Sequence, residues 1–136
     1  MSNVDENALL SLARHMRAQA YAPYSGVRVG AAVLMERDGE MRLFGGANVE
    51  NASFGLSICA ERVALCAAVS SGFGGTIRAL AVAGPDGATL TPCGACRQFA
   101  AEFGDLAVIY TAADTVVRKS IRELLPAAFD SSLLRR

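Results

Sequence analysis

Residues 59–96 read CAERVALCAAVSSGFGGTIRALAVAGPDGATLTPCGAC, and the order of elements inside this stretch decides the fold. Its alanine-rich start, 59–70, predicts a helix that Ser71-Gly72 closes. The apolar run at 77–83 suits a buried strand, and Pro85-Asp86-Gly87 turns the chain out of it. Pro92 fits the first turn of a further helix running through Cys96 to Phe103. Helix, strand and helix in so short a span is the rhythm of an α/β chain.

Working outward, residues 5–20 place Leu9, Leu12, Ala13, Met16 and Ala20 near helical spacing, which predicts an amphipathic first helix. Tyr21-Ala22-Pro23-Tyr24-Ser25-Gly26 breaks it. Residues 27–35 then read as a strand, and Asp38-Gly39 as a hairpin turn into a second strand at 41–45. A polar, Asn-containing loop fills 47–57. Towards the other end, 107–111 is a further strand and 120–125 a short helix stopped by Pro126. Strands alternating with helices favour an α/β sandwich with helices on both faces of the sheet.

The chain has 136 residues without linker, repeat or low-complexity stretch, so residues 1–136 are expected to be one domain. Hydrophobic residues make up 52% and charged residues 19%, which excludes global disorder. Thirteen Lys and Arg balance thirteen Asp and Glu. A protein that displaces counterions from long nucleic acid normally carries a basic excess, so a small neutral ligand fits the charge better. No apolar run approaches bilayer length, and MSNVDENALL lacks the basic-then-apolar order of a signal peptide. A cytoplasmic, reducing location is the resulting expectation. The single His15 rules out a site built on two imidazoles from one chain.

In such a compartment four cysteines read as metal ligands or core residues before disulfides. Cys93-Gly94-Ala95-Cys96 can present two thiolates to one zinc, or be a redox pair, or be two packed cysteines. The redox reading leaves Cys59 unexplained. The 33 residues between Cys59 and Cys93 give room to bring the starts of two helices together. A helix N-terminus lowers a thiol pKa and so favours the metal-binding thiolate. Three thiolates leave the fourth zinc position open, as catalytic sites do. Cys66 lies about 10 Å along the same helix from Cys59 and is expected as a small core residue.

Glu61, two residues after Cys59, can carry protons for metal-bound water, or else complement the helix dipole. Positions i and i+2 diverge on a helix, so the first role requires Cys59 at the non-helical cap and Glu61 in the first turn. Three thiolates on one Zn²⁺ make a net negative cluster. Arg62 and Arg97 each follow a candidate ligand, and hydrogen bonds from them to sulfur would withdraw charge; ordinary surface arginines are the alternative.

The chain strongly resembles the small homotetrameric cytidine deaminases of pyrimidine salvage. The likeness runs from Tyr21 to Phe129, through Tyr21-Ala22-Pro23-Tyr24-Ser25, Asn48-Val49-Glu50-Asn51-Ala52 and Cys59-Ala60-Glu61-Arg62. It continues in Pro92-Cys93-Gly94-Ala95-Cys96-Arg97-Gln98 and Leu124-Leu125-Pro126-Ala127-Ala128-Phe129. The resemblance implies a three-layer α/β/α sandwich with a mixed, roughly five-stranded sheet. It implies one Zn²⁺ per chain on Cys59, Cys93 and Cys96, and Glu61 as the proton shuttle in the chemistry that zinc deaminases share. Water activated at zinc would attack C4 of cytosine while Glu61 protonates N3, then helps the amino group leave as ammonia. Asn48 and Glu50 would bind the ribose hydroxyl, and the Ala60 N–H the base carbonyl. The Thr91 carbonyl would face the leaving amino group, and Phe129 would lie over a neighbouring subunit's site.

Two positions depart from that pattern. Val27 stands where family members commonly carry the Phe that meets the pyrimidine, and Phe54 where some carry Tyr. The expected activity is deamination of cytidine and deoxycytidine, as a homotetramer with shared sites and without nucleic acid or membrane partners. Val27 motivates a second reading, a modified cytosine nucleoside or a nucleoside antibiotic such as blasticidin S. A non-catalytic zinc-stabilised assembly protein and an editor of long RNA or DNA are further alternatives. Intact Glu61 speaks against the first of these, and neutral charge against the second.

Overall fold

The computed structural model describes residues 3–134. Five strands form one sheet in the order β2-β1-β3-β4-β5. They are β1 (Gly30–Arg37), β2 (Glu40–Ala47), β3 (Thr76–Ala83), β4 (Ala107–Ala112) and β5 (Thr115–Ser120). The helices are α1 (Asn3–Met16), α2 (Ala60–Ser70), α3 (Gly94–Ala101) and α4 (Ile121–Leu124). Only β3 and β4 pair in parallel; the other neighbours are antiparallel. A parallel pair needs a crossover, and α3 lies within it.

Alternation along the strands divides the core into two. Ala31, Val33 and Met35 of β1 and Leu80 and Val82 of β3 pack with Ala60, Ala64, Leu65 and Ala68 of α2. Ala32 and Leu34 of β1 and Ala79, Ala81 and Ala83 of β3 pack with Leu9, Leu10 and Ala13 of α1. Successive strand residues face opposite ways, so a strand buried on both faces reads as a continuous apolar run. The predicted three-layer α/β/α sandwich with a mixed five-stranded sheet is the observed architecture.

Several boundaries differ from expectation, each for a local reason. The first helix ends at Met16 and tightens into a 3₁₀ turn, Arg17–Gln19. Residues 27–29 lie outside β1, because the Asn48 side chain takes their backbone groups: Val29 N–H donates to its Oδ1 at 2.8 Å, and its Nδ2 donates to the Val27 carbonyl at 2.8 Å. Pro92 precedes the N-cap, Cys93, instead of opening α3. Cys66 is exposed on α2, not in the core. β5 forms where the sequence pattern predicts no strand; the turn before it holds Ala113 at φ 53°.

The register explains why two helices begin at one place. Ala47 at the end of β2 and Ala83 at the end of β3 both pair with Gly30. The chain therefore leaves the sheet twice at the same edge, once towards α2 and once towards α3. Gly46 lets α2 approach: a Cβ there would lie 2.5 Å from the Ala64 nitrogen and 2.9 Å from the Ala60 carbonyl oxygen. Gly30 does the same for α1, where a Cβ would lie 1.9 Å from the Ala13 oxygen.

Candidate metal centre and active site

Cys59 and Cys93 are the N-caps of α2 and α3, both with extended backbone, at φ −69°, ψ 151° and φ −67°, ψ 168°. Neither side chain caps its own helix, so both sulfurs remain available while their helices contribute positive potential. Cys96 sits in the first turn of α3, buried. The three sulfurs lie within 4.8 Å of one another, and Cys59 and Cys93 are 3.8 Å apart. Zinc bound tetrahedrally at about 2.3 Å from sulfur spaces its thiolates about 3.8 Å apart, so this donor set fits the ion.

The hydrogen bond from the Cys96 thiol pulls Cys59 down to about 5, with help from Arg62 and Cys93 against the cost of burial. Cys96 is pushed up, first by that same bond to Cys59, then by burial and the charge of Glu61. Arg62 Nη2 donates to Cys59 Sγ at 3.8 Å.

Glu61 is 4% exposed in the first turn of α2, the placement that relieves the divergence of i and i+2. Burial pushes its carboxyl up, partly offset by its own backbone N–H. Above it opens a cavity of about 250 Å³ lined by Val27, Asn48, Glu50, Ala60, Glu61 and Thr91, with Cys59 and Cys93. Ser25, Val29 and Leu90 also line it. Ser25 could have been found from the Tyr-Ser block, whereas Leu90 carried no sequence signal. A larger hollow of about 420 Å³ between α3 and the C-terminal segment contains none of the cysteines.

The Tyr21–Ser25 block and the Asn48–Glu50 loop are tied to one another. Tyr21 N–H donates to the Asn48 carbonyl at 2.9 Å, and Glu50 N–H to the Tyr21 carbonyl at 2.8 Å. Glu50 Oε1 accepts from Tyr24 N–H at 2.9 Å and Ser25 N–H at 3.1 Å, and Oε2 accepts from the Ser25 hydroxyl. The Ser25 hydroxyl and N–H hold the Glu50 carboxyl below the usual carboxylate range.

Three residues stand apart from the cavity. Arg97 donates to the Pro92 carbonyl, the Leu124 carbonyl and the Thr91 hydroxyl, not to sulfur. The reason is that its guanidinium finds three oxygens in reach, each a better acceptor than a thiol. Phe129 is 64% exposed and lies at the larger hollow instead of this chain's own cavity. Phe54 packs edge-on against Tyr24, ring centres 5.8 Å apart.

Residues 3–112 match the cytidine and deoxycytidylate deaminase zinc-binding region. The chain belongs to the cytidine and deoxycytidylate deaminase family. It is 45% identical over 130 residues to a cytidine deaminase of Mycobacterium tuberculosis, covering 95% of this chain and 92% of that one. It is 38% identical over 130 residues to a probable cytidine deaminase of Dictyostelium discoideum, covering 95% and 86%. The crystal structure of a cytidine deaminase from Burkholderia pseudomallei superposes with a TM-score of 0.79 at 42% identity, over 95% of this chain and 100% of that one. A family defined by a zinc-binding region and a cluster of three cysteines agree on the metal. This member of the deaminase family is a zinc-binding hydrolase whose sheet delivers both cysteine-bearing helices to one edge.

Proposed function

We propose that the chain hydrolyses cytidine and deoxycytidine to uridine and deoxyuridine, releasing ammonia. The observation that carries this reading is the buried Glu61 carboxyl beside three clustered thiols, at the floor of a cavity suited to one small ligand. Zinc, when bound by Cys59, Cys93 and Cys96, supplies a water whose pKa falls to about 7. Glu61 accepts a proton from the attacking water on a carboxylate oxygen and passes it to N3 of the base. It then takes up the proton of the hydroxyl added at C4 and delivers it to the amino group, so that the C4–N bond breaks, ammonia leaves and C4 becomes the carbonyl of uridine. The Ala60 N–H, in the first turn of α2, binds the base carbonyl. The Thr91 carbonyl receives the amino group as it leaves.

Asn48 and Glu50 hold the ribose hydroxyl. Each uses part of its hydrogen-bonding capacity on residues 24–29, which fixes it for the ligand. The carboxylate of Glu50 disfavours a phosphate on the sugar, since like charges would meet. Arg62 drains charge from the sulfurs through Cys59. Phe129, unable to serve its own cavity, covers the site of a neighbouring copy in a homotetramer.

The chain acts as one domain over 1–136, in pyrimidine salvage in the cytoplasm, on small nucleosides and not on nucleic acid or membranes. Free cysteines and balanced charge support that setting. One observation favours a second reading, a modified cytosine nucleoside: Val27, 43% exposed, lines the cavity with Val29 and Leu90, an aliphatic wall. Incubating the zinc-loaded protein with cytidine tests the first reading. Uridine and ammonia in equal amounts are expected, and cytidine left unchanged contradicts it.

A further inference from the structure

Arg97 directly follows the ligand Cys96, yet its contacts run to oxygen. Nε donates to the Pro92 carbonyl at 2.7 Å, Nη2 to the Thr91 hydroxyl at 3.1 Å and Nη1 to the Leu124 carbonyl at 2.8 Å. Two of these acceptors belong to the residues just before Cys93, and one of them, Thr91, lines the cavity. The third closes α4. The next side chain along, Gln98, donates through Nε2 to the Phe129 carbonyl at 2.9 Å. One turn of α3 thus grips both the Thr91 wall and the C-terminal segment.

A guanidinium suits this task because it is planar, permanently charged and carries its donors in fixed directions. Pro92 offers no N–H, so its segment has one fewer backbone tie of its own. The arginine supplies that tie from the helix that carries Cys96.

We propose that Arg97 is a positioning residue for the deamination site. Through the Pro92 carbonyl and the Thr91 hydroxyl it fixes Thr91 in the cavity wall and, with Gln98, fixes residues 124–129, so that both follow the placement of α3. The proposal rests on the nucleoside reading given above. It assigns Arg97 no proton and no bond to sulfur; its effect reaches substrate through Thr91.

The test compares Arg97→Ala, Arg97→Lys and Thr91→Val in the full, zinc-loaded chain. Zinc per chain, kcat and KM for cytidine, and the affinity for uridine by calorimetry are measured. Both Arg97 variants are expected to keep one zinc per chain and to lose roughly tenfold or more in kcat/KM, with weaker uridine binding. Lysine keeps the charge but loses the fork, so it does not rescue. Thr91→Val, which removes only the hydroxyl acceptor, loses less, and combined with Arg97→Ala it costs less than the product of the single losses. Should Arg97→Ala fail to fold, Arg97→Lys and Thr91→Val decide the matter. Wild-type kcat, KM and uridine affinity in Arg97→Lys, or loss of zinc from it, overturns the positioning role. A wild-type chain that neither deaminates cytidine nor binds uridine overturns the nucleoside reading and this inference with it. Wild-type turnover with an unaltered Arg97→Lys overturns this inference alone.

Discussion

Glu61 and Glu50 face the same cavity from opposite surroundings. Glu61 is buried in the first turn of α2, so its carboxyl is pushed up and suits a group that takes and returns protons. Glu50 is held below its ordinary value of 4.5 by the Ser25 hydroxyl, so it stays ionised and accepts hydrogen bonds. With its folded pKa lowered, its ties to Tyr24 and Ser25 act in full above pH 4.5 and are lost as pH falls through the lower value. Val27 shapes the other side of the cavity. Val27→Phe is expected to strengthen kcat/KM for unsubstituted cytidine by about 0.5–1.5 kcal/mol and to weaken it for 5-substituted cytidines. The ratio of the two substrates checks this; an unchanged ratio removes the reason for the second reading. The clustering of Cys59, Cys93 and Cys96 was legible because the Cys-x-x-Cys spacing and the two helix starts are written in the sequence, whereas Cys66, expected in the core, is exposed on α2. The target of Arg97 was not: its Leu124 acceptor is 27 residues away, and spacing says nothing about which acceptors a long side chain will find.

At the scale of elements, the site exists because β2 and β3 both end opposite Gly30 and each hands the chain to a helix. Gly46 sets how closely α2, with Cys59, Ala60 and Glu61, lies on that edge. Gly46→Ala would drive a methyl group into the α2 backbone and is expected to cost about 1–3 kcal/mol of stability. Thermal unfolding reads that loss, and metal content and activity should fall together. A Tm unchanged from wild type would mean that the helix has slack. The helices and the central strands were readable from apolar periodicity. Residues 27–29 looked like strand for the same reason, but the Asn48 amide claims their backbone, a pairing across 19 or more residues. β5 escaped notice because an edge strand needs little apolar surface: Val116 and Val117 stand between Thr115 and the charged Arg118 and Lys119. Arg118 instead pairs with the buried Glu6 of α1, a contact no local pattern announces.

Across the whole molecule, no helix among the described residues is long and apolar enough to cross a membrane. Tyr21, Tyr24, Val49, Phe54, Leu56 and Ile58 are nonetheless exposed, and backbone bridges draw Tyr21, Val49 and Ile58 together. Apolar surface of this kind suits a contact with another chain, as the proposed oligomer requires. With Phe129 outside its own cavity, the proposed homotetramer with shared sites predicts that Phe129→Ala lowers kcat/KM roughly two- to tenfold at full zinc content. Kinetics and light-scattering mass both equal to wild type would contradict shared sites. The proposed chemistry requires Glu61 to move protons over a three-cysteine zinc site. Its most direct test is ammonia release from cytidine by wild type and Glu61→Gln at equal zinc occupancy. The expected result is one zinc per chain in both and a turnover lower by about 10²–10⁴-fold in the variant. Equal turnover in the two proteins would contradict it.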